Sequence, residues 1–85
     1  MRPIMLFIQA RCPFCKRALR YIDQAREEHP ELKSVEIEIH DELEEPAFAD
    51  TFDYYYVPTF YADGEKLHEG GIEYDEVVEL LRKVL

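Results

Sequence analysis

Arg11-Cys12-Pro13-Phe14-Cys15-Lys16-Arg17 holds both cysteines of the chain and follows an apolar run, Ile4-Met5-Leu6-Phe7-Ile8, that reads as a buried strand over about residues 4 to 9. Two thiols at C-x-x-C spacing serve as a redox dithiol, as half of a metal site, or as two small core residues. The neighbouring residues separate these meanings. Pro13 suits the first position of a helix, where its missing N–H has no partner to lose and its fixed φ fits the turn. Cys12 is then the N-cap, with its sulfur facing the free N–H groups of the first turn and the positive end of the helix dipole, both of which favour thiolate over thiol. Arg11, Lys16 and Arg17 add positive charge around that sulfur in a chain of formal net charge -9.

Cys15 lies three residues on, on the same helix face and within disulfide reach of Cys12. With Ala18, Leu19, Ile22 and Ala25 it forms an apolar stripe at helical spacing, so Cys15 is expected to be shielded and Cys12 exposed. A zinc half-site needs two further ligands, and His29, His40 and His68 stand far apart without ligand spacing. No resident metal is expected; the metal alternative is a cluster shared between two chains.

The 85 residues make one small domain, residues 1–85, and a hydrophobic content of 47% supports a globular fold. No stretch is long enough to span a membrane, and Met1-Arg2-Pro3 followed by five apolar residues is too short for a secretory signal, so the expected location is cytoplasmic. A cysteine pair in that compartment is more often catalytic than structural. The acidic balance argues against nucleic acid and anionic membrane surfaces as partners.

Outward from the C-x-x-C stretch, the first helix runs from Pro13 to about Glu28, with His29 capping its last turn before Pro30. Ser34-Val35-Glu36-Ile37-Glu38-Ile39-His40 alternates as a strand with Val35, Ile37 and Ile39 inward and the glutamates in solvent at an edge. Pro46 opens a second helix behind Asp41, Glu42, Glu44 and Glu45, with Ala47, Phe48, Ala49 and Phe52 as core candidates and Asp53 as a left-handed terminal residue. Thr59-Phe60-Tyr61-Ala62 and Glu65-Lys66-Leu67-His68 flank Asp63-Gly64, a strong hairpin signal. Gly70-Gly71 breaks the pattern, and residues 74 to 84 carry a helical stripe of Val77, Leu80, Leu81 and Val84. The first two strands fit a right-handed βαβ unit, and the whole order is β-α-β-α-β-β-α: an α/β fold with a four-stranded mixed sheet and helices on both faces.

This order, with Cys12-Pro13-Phe14-Cys15 opening the first helix and Val57-Pro58-Thr59 before the third strand, resembles the thioredoxin fold at the size of the glutaredoxins. The first motif differs by one aromatic residue from the usual Cys-Pro-Tyr-Cys of dithiol glutaredoxins, and the second matches the family's cis-proline segment. The resemblance implies a dithiol thiol–disulfide oxidoreductase in which Cys12 attacks and Cys15 resolves. It implies that Pro58 is cis beside Cys12 and that the Val57 backbone meets an extended substrate, which a proline at the start of a strand permits. Arg11 and Lys16 stabilise the thiolate, and the single domain is expected to act as a monomer.

For glutathione, the resemblance points to Gln9, where the family carries a lysine that Arg11 is expected to replace, and to Gly70, Gly71 and Glu73, where the family has Gly-Gly followed by a small residue and two aspartates. A helix N-terminus there can hold a carboxylate. Phe14, Tyr56, Val57 and Pro58 complete the expected substrate groove. Tyr54-Tyr55-Tyr56 offers apolar faces with polar tips; Tyr56 is placed near the site and at least one other tyrosine in the core. The segment from Pro46 to Glu65 also resembles thioredoxins, although their Trp-Cys-Gly-Pro-Cys is absent. The implied alternatives are therefore a thioredoxin-type reductase recycled by a thioredoxin reductase, or a module binding an iron–sulfur cluster through Cys12 and glutathione. No cofactor is expected to be resident; glutathione is the expected co-substrate, and disulfide-containing proteins are the expected partners.

Overall fold

The computed structural model describes residues 2–85. Its elements run β1 (Ile4–Ile8), α1 (Pro13–Glu28), a 3-10 turn (Pro30–Ser34), β2 (Ile37–Asp41), α2 (Pro46–Ala49), β3 (Thr59–Ala62), β4 (Glu65–Glu69) and α3 (Tyr74–Val84). The strands form one sheet in the order β2-β1-β3-β4. β1 pairs parallel with β2 and antiparallel with β3, and β3 pairs antiparallel with β4. This is the α/β thioredoxin architecture, with β1 central and leading straight into the C-x-x-C helix.

Alternation along β1 sends its side chains to two different layers. Ile4, Leu6 and Ile8 pack under α1 and α3 with Cys15, Ala18, Ile22, Ala25, Val77 and Leu81. On the opposite face Phe7 is fully buried against Ala49 and Tyr61, with Phe52 and Tyr54 packed alongside. The Phe7 ring stacks on Tyr54 at 5.1 Å and meets Phe52 at 4.7 Å, so the tyrosine expected in the core is Tyr54. The hairpin turns at Asp63 and Gly64, both with positive φ (50 and 76), as Asp-Gly turns require.

Several expectations change. β1 ends at Ile8 rather than residue 9, and β2 begins only at Ile37 because Pro30–Ser34 winds into a 3-10 turn whose exit residue Val35 is held by the Arg26 side chain on its carbonyl. Ile39 aligns with Leu6 on the helix-facing side yet is 51% exposed, because β2 is an edge strand and α1 does not reach over it. The second helix is a single turn: only Ala49 of α2 is buried, Ala47 is exposed, and Phe48 is partly exposed while its ring meets His40 at 4.8 Å and Phe52 at 5.4 Å. Asp53 does not take the left-handed conformation; among the described non-glycine residues only Asp63 does. Leu19, expected in the α1 stripe, is half-buried at its edge.

Candidate functional site

Cys12 is the N-cap of α1 with extended dihedrals (φ -77, ψ 120) and Pro13 in the first turn, which fixes where the helix starts. The main chain tightens around it: Cys12 N–H donates to the Gln9 carbonyl at 3.0 Å, and Lys16 N–H donates to the Cys12 carbonyl at 3.0 Å. The Cys12 side chain makes no capping hydrogen bond. Its sulfur turns across the site instead and lies 4.0 Å from the Val57 carbonyl oxygen.

Cys15 is 1% exposed, and the Gln9 N–H reaches its sulfur at 3.5 Å. Burial pushes the Cys15 thiol up to about 12, the Gln9 N–H pulls it back, and the neighbouring Cys12 side chain and the Glu42 carboxylate push it up further. Both thiols are free, with Cys12 half-buried at the surface. The two cysteines are thus unequal, one reachable and one shielded and holding its proton.

The Val57-Pro58 peptide bond is cis. Pro58 is buried, and its carbonyl accepts from Gly70 N–H at 2.8 Å, which straps the segment to the end of β4. Among the described residues the N–H and C=O of Val57 form no backbone hydrogen bond, so its main chain is available beside Cys12. Just upstream, the Glu69 carboxylate accepts from Tyr55 N–H at 2.7 Å and Tyr56 N–H at 2.9 Å, and it pairs with Lys66 at 2.6 Å. The Lys66 ammonium and then these two N–H groups hold Glu69 down at about 2. Sequence reasoning missed Glu69; a carboxylate in an exposed hairpin strand carries no local mark of the loop it will bind.

Phe14 is 52% exposed and packs over Gly71, where an added Cβ would meet the ring at 3.3 Å. Gly70 has φ +89 and sits under Tyr56, which is 69% exposed. Gly70 thus links Tyr56 to Pro58, Gly71 meets Phe14, and of these expected residues it is Val57 that meets Cys12. The Arg11 and Lys16 side chains are exposed and form no hydrogen bond or ion pair among the described residues.

The two polar positions expected to meet glutathione are occupied internally. Gln9 donates from its side chain to Glu42, which also accepts from the Tyr54 hydroxyl at 2.7 Å. Glu73 is the N-cap of α3 in a reciprocal capping box with Glu76. Among the described residues no group of three or more His, Cys, Asp and Glu side chains is gathered to hold a metal ion, and no helix is long and apolar enough to cross a membrane.

Comparison with known structures shows the same architecture. A malarial protein superposes with a TM-score of 0.76 at 16% identity, covering 100% of this chain and 98% of that one. A thioredoxin-like protein superposes with a TM-score of 0.61 at 24% identity, covering 92% of this chain and 97% of that one. Curated protein sequences gave no match. The glutaredoxin family model matches residues 4–67, from the first residue of β1 through both cysteines and the cis-proline to the middle of β4, and the chain belongs to the glutaredoxin family.

Proposed function

We infer that the protein is a dithiol thiol–disulfide oxidoreductase that reduces protein disulfides or glutathione mixed disulfides through Cys12 and Cys15. The observation that carries this is the inequality of the two thiols: Cys12 at the surface beside the free Val57 backbone, Cys15 buried behind it with its proton held up to about 12. The Cys12 thiolate attacks one sulfur of a substrate disulfide, forming a Cys12–substrate mixed disulfide and expelling the other sulfur as a thiolate that takes a proton from water. The negative charge at Cys12 is then gone, and with it one of the influences that raise Cys15. Cys15 gives its proton to water and attacks the Cys12 sulfur, forming the Cys12–Cys15 bond and expelling the second substrate sulfur as a thiolate that takes a proton back from water. Two electrons pass from the dithiol to the substrate.

The oxidised pair is reset by two glutathione molecules, giving glutathione disulfide, or by the dithiol of a thioredoxin reductase. Arg11 and Lys16, unpaired and exposed, supply the positive charge that accompanies a Cys12 thiolate. Phe14 and Tyr56 flank the substrate, and Val57 pairs with it as a short added strand.

NADPH-coupled turnover tests the reading, run with glutathione plus glutathione reductase and, separately, with thioredoxin reductase. Disulfide reduction in either system supports it and names the reductant. Absence of turnover in both, or anaerobic purification of a coloured dimer holding iron and sulfide at Cys12, overturns it.

A further inference from the structure

Charge is segregated along this chain. Its first 22 residues contain five basic residues and no acid, whereas all 19 carboxylate side chains lie from Asp23 onward. Four of those cations, Arg11, Lys16, Arg17 and Arg20, stand at or on the first half of α1, all exposed. None of their side chains forms an ion pair or hydrogen bond among the described residues, although Asp23 is only three positions from Arg20. Lys16 and Arg20 are i and i+4, a like-charge spacing that weakens a helix. Arg17 lies over the exposed Phe14 ring at 5.8 Å, joining the basic stripe to the apolar platform beside Cys12.

The carboxylates on the other side of the site are differently placed. Asp41 accepts from Ala10 N–H at 3.2 Å and Leu43 N–H at 2.9 Å, Glu42 from Gln9 and Tyr54, and Glu45 pairs with His40 at 3.0 Å. These carboxylates are tied by hydrogen bonds within the molecule, and the side chains of the α1 cations are not. Resting on the oxidoreductase reading above, we propose that the preferred substrate is a protein disulfide whose cysteine lies in an acidic segment, with the segment running from Val57 past Phe14 along the Lys16–Arg17–Arg20 stripe.

Reach separates this partner from glutathione. Arg20 is eight positions beyond Cys12, about 12 Å of helix at roughly 1.5 Å per residue. An extended partner chain covers that in about four residues at roughly 3.3 Å each. Glutathione has one residue on either side of its cysteine and ends short of Arg20.

The test is single-turnover reduction of disulfide-linked peptides by the pre-reduced protein, comparing cysteine peptides flanked by Glu at the third and fourth positions on both sides with their Gln counterparts. The Glu peptide is expected to react about tenfold faster at low ionic strength, with the ratio falling towards unity in about 0.5 M salt. Arg17→Glu/Arg20→Glu should abolish the ratio, whereas Lys33→Glu/Lys83→Glu, with the same change in net charge, should keep it. Each ratio is taken within one variant, so partial unfolding cancels. Equal rates for the two peptides overturn the proposal, as does a ratio that survives Arg17→Glu/Arg20→Glu or a glutathione mixed disulfide that responds to Arg20 as the Glu peptide does. Failure of the wild-type protein to reduce either peptide overturns the oxidoreductase reading itself, and this proposal with it.

Discussion

The Cys12 sulfur lies 4.0 Å from the carbonyl oxygen of Val57, a residue 45 positions further along the chain. Two remote segments, a helix cap and the entry to a strand, thereby make one surface, with the Cys12 thiol beside the Val57 main chain.

The cysteines should separate by substrate. Cys12→Ser is expected to abolish reduction of every disulfide, and Cys15→Ser to block protein disulfides while leaving turnover of glutathione mixed disulfides, where glutathione itself can resolve the intermediate. Steady-state rates of both variants on both substrates check this. Equal losses throughout would remove the division into attacking and resolving thiols.

Alkylation should follow exposure and protonation. Near neutral pH a limiting amount of iodoacetamide is expected to label Cys12 and spare Cys15, which is 1% exposed with its thiol pushed up to about 12 chiefly by burial. Cys15 labelling in the folded protein should rise only as pH climbs towards that value. Mass mapping of the labelled peptides reads both, and early labelling at Cys15 would contradict the buried placement.

Glu69 should make the Tyr55–Tyr56 loop acid-sensitive. Its carboxyl is held at about 2 in the folded protein against an ordinary value of 4.5, so the folded state binds fewer protons there than the unfolded one. Its contribution to stability is therefore present above 4.5 and is lost as pH falls towards 2. The amide signals of Tyr55 and Tyr56 should shift together across that window in an NMR titration. In Glu69→Gln that shared shift should disappear, and KM for protein disulfides should rise more than kcat falls, because the loop beside Val57 is loosened while the thiols stay in place.

The two adjacent glycines should differ in cost. Gly70 has φ +89, so Gly70→Ala is expected to destabilise by about 1 kcal/mol. Gly71 has no such conformation and meets only the Phe14 ring at 3.3 Å, which is half exposed and can move. Gly71→Ala is expected to cost less than about 0.5 kcal/mol. Urea denaturation of the two variants compares them directly.

Much of this was local and therefore legible in the sequence. Pro13 after Cys12 fixed the start of α1, the Cys15-Ala18-Ile22-Ala25 spacing fixed its buried face, Asp63-Gly64 fixed the hairpin, and Val77, Leu80, Leu81 and Val84 marked α3, all found where their spacing put them. Such signals depend on residues a few positions apart, whose geometry is set by the period of a helix or the twist of a turn.

Tertiary structure decided what depends on distant neighbours. Ile39 has a strand's alternation, but its coverage depends on how far α1 reaches over an edge, and it is exposed. Gln9 and Glu73 were expected to meet glutathione only by resemblance, and the partners that take them up, Glu42 and the first turn of α3, appear only when the chain is folded. Glu69 reads as one more surface acid in a chain with many, and only the hairpin's return beside residues 54 to 56 turns it into a clamp on the Tyr55–Tyr56 backbone. The sequence alone determined that both thiols stand at the start of α1, one at its cap and one on its buried face. Tertiary structure decided which polar side chains are already committed, because a hydrogen bond between residues 14 or 33 positions apart is fixed by the path of the chain and leaves no local pattern to read.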